Sequence, residues 1–139
     1  MRNLAFALVL SFVTAGAAIG TPAIAALPEV MGFSGATQSN VAGCPFIIWR
    51  LVNHDNGVVT GIAYYSDLSG LSKVRGMIEK SGQFKLTVTS SFDNGPVGTV
   101  IGTKSGDGEL NATMTGTGCA NVNFHMPPPM DIWTYYHFG

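Results

Sequence analysis

The side chains able to do chemistry are few and scattered. Three histidines, His54, His125 and His137, share the chain with eight carboxylates. His54 adjoins Asp55 in an Asn- and Gly-rich turn, where neighbouring side chains point apart. The pair therefore reads as a solvated turn and not as a base with its orienting acid. Asp55, Asp93 and Asp107 belong to turn sequences, and Glu79 and Glu109 to outward positions. Asp67 follows Tyr64-Tyr65 and Asp131 precedes Ile132-Trp133, and a carboxylate beside aromatic planes is the combination used in sugar recognition. There is no Gly-x-Ser-x-Gly elbow, phosphate loop or dinucleotide fingerprint. No His or Cys has a partner at ligand spacing, so the sequence implies no catalytic residue, no metal and no cofactor. A hydrolase centred on Asp67, Asp131 or the histidines is the weakest reading.

Binding is better represented than catalysis. After Pro127-Pro128-Pro129 the last ten residues concentrate Trp133, Tyr135, Tyr136 and Phe138. That aromatic area either folds back as a strap or final strand across the edge of the domain, or forms an exposed binding surface of the kind Trp and Tyr dominate. Tyr64, Tyr65, Asp67, Trp133, Tyr135 and Tyr136 are accordingly the candidate ligand or partner residues.

The two cysteines, Cys44 and Cys119, stand about 75 residues apart, and an isolated pair in a small exported domain predicts a disulfide. Export is predicted by the first 25 residues. One cation, Arg2, precedes an apolar stretch from Leu4 to Val13, and small residues at Ala23 and Ala25 suit cleavage after Ala25. The stretch is broken by Thr, Gly and Pro before reaching the roughly 20 residues of a spanning helix. The expected mature chain, residues 26–139, is a one-domain length, free of integral spans, periplasmic or extracellular, bacterial and monomeric. Seven basic and eight acidic residues, with Arg2 lost on cleavage, leave it mildly acidic. Such a balance argues against nucleic acid and anionic lipid as partners.

The elements that must position these residues are strands. Five segments alternate apolar and polar residues with a period of two, most cleanly Gln83 to Ser91, where Phe84, Leu86 and Val88 share one face. Four of the segments carry a Val/Met-x-Gly step, ending at Gly61, Gly76, Gly102 and Gly116. Asn53 to Gly57 is the strongest hairpin signal, and Ser81-Gly82, Asp93 to Pro96 and Ser105 to Gly108 turn the chain again. Seven strands result between Cys44 and Met126, and their short connections allow only antiparallel neighbours.

The expected fold is all-β: a small antiparallel meander forming a closed or partly closed barrel of seven to eight strands, with a β-sandwich as the alternative and one disulfide. Its parts are a signal peptide (1–25), an irregular lead-in with at most one short strand near Val30 to Phe33 (26–43), the barrel (44–126) and a Pro-rich, then aromatic tail (127–139). A non-catalytic binding module for a small apolar ligand or a glycan is the leading functional reading. The alternative is a protein–protein module, such as an inhibitor of an extracytoplasmic hydrolase, acting through the 66–72 loop and the tail. Whether an apolar ligand fits inside depends on whether the strand glycines leave a cavity or receive large side chains such as Trp49, Phe84 and Phe124.

Overall fold

The computed structural model describes residue 16 and residues 30–138, so the signal-peptide reading of residues 1–25 lies outside the described residues. The chain forms nine strands: β1 (Met31–Thr37), β2 (Ile47–Asn53), β3 (Val58–Tyr65), β4 (Leu71–Ile78), β5 (Gln83–Ser90), β6 (Pro96–Lys104), β7 (Leu110–Gly116), β8 (Val122–Met126) and β9 (Met130–Asp131). A short helix, α1 (Ile132–Phe138), follows. Strands β1 to β8 pair as an antiparallel meander, each with its sequence neighbour, and β9 pairs with the free side of β1.

The sheet curls until its first and last long strands meet, giving the partly closed barrel. At the seam Ser39 bridges Val122, the Asn40 N–H donates to the Asn121 carbonyl at 2.7 Å, and the Cys44–Cys119 disulfide ties the flanking loops. At the other end of β1, Met31 and Gly32 pair with Asp131 and Met130. β8 and β9 are thus two pieces of one seam strand, interrupted by Pro127 to Pro129, which have no N–H to donate to a ladder.

The interior is packed by complementary sizes. Leu51 lies opposite Gly61, Leu86 opposite Gly76, and Phe84 opposite Gly102. A Cβ at Gly61 would lie 2.1 Å from the Arg50 carbonyl oxygen, and one at Gly76 would lie 2.0 Å from that of Lys85, so only glycine permits this approach. Trp49 is 0 % exposed, meets Phe124 edge-on with ring centroids 4.6 Å apart, and donates its indole N–H to Thr37 Oγ1 at 2.8 Å. The barrel is therefore filled. A void of about 20 Å³ between Ile47, Ala63, Tyr65 and Val88 has room for about one water.

All seven expected strands form, but the lead-in is not irregular. The lead-in contributes a full strand, β1, and the barrel domain therefore begins before Cys44. Its alternation is hidden because its positions are small where partners are large: Gly35 faces Met126, Thr37 accepts from Trp49, and outward Gly32 lies beneath Tyr135. The tail folds back across the sheet edge as the short last strand β9, paired with β1, and continues as the helix α1. Asp131 caps α1, accepting from the Thr134 N–H at 3.0 Å and from its hydroxyl at 2.5 Å.

Candidate functional site

The barrel has two unlike ends. The hairpin end carries the turns after β2, β4 and β6, and the disulfide end carries the connections after β1, β3, β5 and β7. Around the hairpin turns lies an open, polar basin of about 760 Å³, rimmed by residues such as His54, Lys80 and Lys104. Asn53, pointing inward at the end of β2, has a buried Oδ1 with no hydrogen-bond partner. His54 is held by Thr60, with Nε2 and Oγ1 2.9 Å apart.

The disulfide end is apolar at its tips. Leu68, in the β3–β4 turn, is 80 % exposed, and Phe92, in the β5–β6 turn, is 81 % exposed. The two turns are neighbours: the Ser91 N–H donates to the Leu71 carbonyl at 2.9 Å, and Ser72 pairs with Ser90. Phe46, 48 % exposed, adjoins them, since its carbonyl accepts from the Ser66 N–H at 2.8 Å. Leu68 holds φ at +62°, a left-handed conformation that Gly or Asn would adopt at less cost.

The turns are fixed from within. The Leu68 N–H donates to the Tyr65 carbonyl at 2.8 Å and the Ser69 N–H to Asp67 Oδ1 at 3.0 Å. In the next turn the Gly95 N–H donates to Asp93 Oδ1 at 2.9 Å. Hydrogen bonds to Asp67 from the Ser69 hydroxyl and N–H hold its carboxyl below the ordinary range, and those from the Gly95 N–H and the Ser90 hydroxyl do the same for Asp93. Both tips thus carry a carboxylate, charged at neutral pH, beside the exposed apolar side chain.

The six residues singled out from the sequence divide among these surfaces. Asp67 is exposed in the tip turn, and half-buried Tyr65 points inward beneath it, its phenol pushed up by burial and then by the Asp67 charge. Tyr64 faces outward between Ile48 and Leu71. Tyr135, 7 % exposed, is anchored on Gly32; burial raises its phenol while Arg50 acts in the opposite direction. Tyr136 stands exposed beside it, with ring centroids 5.3 Å apart, and Trp133 lies within α1. The tail is seated over the hairpin-end half of β1, so it and the 66–70 turn occupy different levels of the barrel.

Three features lay beyond sequence reasoning. Leu68 and Phe92 read as ordinary apolar loop residues until the register places them at one end. The third is a charge segregation hidden by the near-neutral net charge. Among the described residues every carboxylate except Asp131 lies in a turn or loop, whereas Arg50, Lys73, Arg75 and Lys85 all lie on strands.

The histidines and carboxylates singled out from the sequence are spread over the described residues. His54 and Asp67 are separated by the whole of β3, eight residues at about 3.3 Å each. Asp131 is engaged as a helix cap, and His125 Nδ1 lies 2.8 Å from Asn111 Oδ1. Among the described residues no three His, Cys, Asp or Glu side chains cluster closely enough to hold a metal. Nothing comparable is found among known proteins: no family model, no curated protein and no solved structure matches this chain.

Proposed function

We propose that this protein is an exported, non-catalytic binding module that engages a protein partner through its disulfide end, in the manner of an inhibitor of an extracytoplasmic hydrolase. The observation that carries the reading is the pair of tips, Leu68 and Phe92, four-fifths exposed on adjacent turns. Burying two such side chains in a partner's pockets contributes roughly 1.5–3 kcal/mol each. The strained backbone at Leu68 supports the same conclusion, since a left-handed leucine is costly for the isolated fold.

Rigidity is the second support. Turn hydrogen bonds hold each tip in one arrangement, so little ordering entropy is lost on docking. Ionised Asp67 and Asp93 favour a protein pocket over an anionic lipid surface, which would repel them. The packed interior turns the reading away from an enclosed apolar ligand. Export is supported by the disulfide and by the signal-like sequence of residues 1–25. Among the described residues no helix is long and apolar enough to cross a membrane.

The test is quantitative capture from the secreted and periplasmic fraction of the source cells, using the mature protein and a Leu68→Asn/Phe92→Ser double variant. The expected result is a partner retained by the mature protein, lost by the variant, and competed off by free mature protein, with the melting temperature unchanged or slightly raised. An identical set of proteins on both baits would refute the reading.

A further inference from the structure

A second surface, independent of the tips, lies on the outer face of β3, β4 and β5. It is a concavity of about 610 Å³ whose floor is Gly61, Val74 and Gly76 and whose walls include Thr60, Lys73, Arg75, Thr87 and Thr89. The register explains the wall. Arg75 is paired with Thr60 on one side and Thr87 on the other, and Lys73 with Ile62 and Thr89. Lys73 and Arg75 are two residues apart on the same face, roughly 6.6 Å along the strand. Lys85, across from Met77, stands diagonally next to Arg75.

The wall of the groove carries two cations, Lys73 and Arg75, and no carboxylate, while Lys85 stands just outside it and lines an adjacent concavity with Glu79. No ion pair neutralises Lys73, Arg75 or Lys85 among the described residues; Lys73 Nζ donates to Asn94 Oδ1 at 3.3 Å, which fixes the amine without cancelling its charge. The nearest carboxylates by sequence are those of the turns at the two ends of the strands, Asp67, Glu79 and Asp93. The result is a groove with a largely apolar floor and a wall of threonines and two cations, on a protein of formal net charge −1.

From this geometry we propose that the groove binds an acidic polysaccharide, with Arg75 and Lys73 holding carboxylate or sulfate groups and the threonines bonding sugar hydroxyls. The choice among anionic partners follows from what the groove offers. β3, β4 and β5 are paired on both sides, so a peptide finds no free strand edge to extend. No aromatic plane lines the groove for base stacking, and two wall cations with Lys85 beside them are too few for strong phosphate-driven binding to nucleic acid. Alternating hydroxyls and cations on a shallow floor match a chain that carries hydroxyls and spaced anions. An Arg fork suits a planar carboxylate, and a lysine meets a sulfate as a point charge.

Binding is measured by calorimetry with four polymers at one ionic strength: polygalacturonate, heparin, neutral dextran and poly-glutamate. Saturable binding of polygalacturonate or heparin, at least tenfold tighter than of dextran and poly-glutamate, is expected. Whichever of the two binds tells carboxylate from sulfate chemistry. Lys73→Gln/Arg75→Gln/Lys85→Gln should weaken that binding at least tenfold, and Thr87→Val/Thr89→Val, which keeps every charge, should weaken it about threefold or more. Both variants should keep the parent melting temperature within a few degrees, and the tip variant Leu68→Asn/Phe92→Ser should bind the polysaccharide as the parent does. Absence of binding to either acidic polysaccharide overturns the proposal, as does equal binding of poly-glutamate or an unchanged affinity in both groove variants.

Discussion

The two ends of the barrel solve the same problem, reversing the chain between antiparallel strands, with opposite chemistry. At the hairpin end, left-handed positions are occupied by glycine, at Gly57, Gly82 and Gly108, and the surroundings are polar. At the disulfide end Gly43, Asn94 and Gly118 follow the same rule, but the left-handed conformation is also forced on Leu68, which stands bare in solvent near Phe92. One end obeys the local rules that stabilise a turn throughout, and the other departs from them at Leu68, beside loops tied by a covalent bond. A departure that costs stability and exposes apolar area is what a docking surface requires, whereas the compliant end needs no partner to account for it.

The comparison can be broken most forcefully at the brace. Replacing both cysteines, Cys44→Ser/Cys119→Ser, should lower stability by up to about 4–5 kcal/mol in the loop-entropy account of a 75-residue span. Hydrogen exchange should accelerate in residues 38–46 and 117–121 and change little at the 53–58 turn. Exchange that accelerates uniformly would show that the bridge supports the whole barrel and not one end.

Next in size is a pair of substitutions at matching conformations. Gly57→Ala should cost about 2 kcal/mol or more, because φ is +82° and a Cβ would lie 2.6 Å from the Ile78 carbonyl oxygen. Leu68→Asn should instead raise stability by about 0.5 kcal/mol, since Asn tolerates the left-handed region. Urea denaturation of both variants checks the opposite signs. If Leu68→Asn destabilises, the leucine is structural and the contrast between the ends fails.

Asn53→Leu probes the hairpin end from inside. Its buried, unpartnered Oδ1 bears a desolvation cost, so an apolar side chain of similar size should raise stability by about 1 kcal/mol. A lower melting temperature would mean that the carboxamide is paired in solution.

The smallest effect is acid sensitivity, and it should not distinguish the ends. Asp67 and Asp93 at one end and Asp107 at the other are all held below the ordinary carboxylate range, Asp107 by the Ser105 hydroxyl and then the Glu109 N–H. A folded-state pKa below the unfolded one gives stabilisation that is present above about pH 4 and lost as pH falls through the folded value. All three groups are exposed, so the melting temperature should decline only slightly in that window, and Asp→Asn changes at the three positions should flatten it.

Much of this architecture was legible in the chain because the central strands are self-describing. In β5, β7 and β8 apolar inward side chains alternate with polar outward ones, and Asn-Gly and Ser-Gly turns punctuate the ladder. The seam was not legible for the converse reason. In β1 only Phe33 is a large, fully buried inward residue, and the small residues around it make sense only beside Trp49, Met126 and Tyr135, which come from elsewhere in the chain. The helix was obscured by its own composition, since Ile, Trp, Thr and Tyr are indifferent helix formers, and it depends on the Asp131 cap and on the seat that Gly32 provides.

The surfaces followed the same division. Tyr64, Tyr65 and Asp67 were marked by their types and do lie at or beside the disulfide end. The 66–72 loop that holds Leu68 was marked as a whole, but neither Leu68 itself nor Phe92 was, because exposure and strain are properties of the folded turn. The cationic groove was masked by carboxylates that neutralise it in the sum but lie elsewhere in space.

The most direct test of the central claim is site-specific photocrosslinking in the source cells, with a photoreactive amino acid placed at Ser69 beside the strained tip or at Ser81 in a hairpin turn at the opposite end. The account predicts a discrete protein adduct from position 69 that disappears when Leu68 is also changed to Asn, and none from position 81. An adduct from position 81 alone, or equal adducts from both, would contradict it.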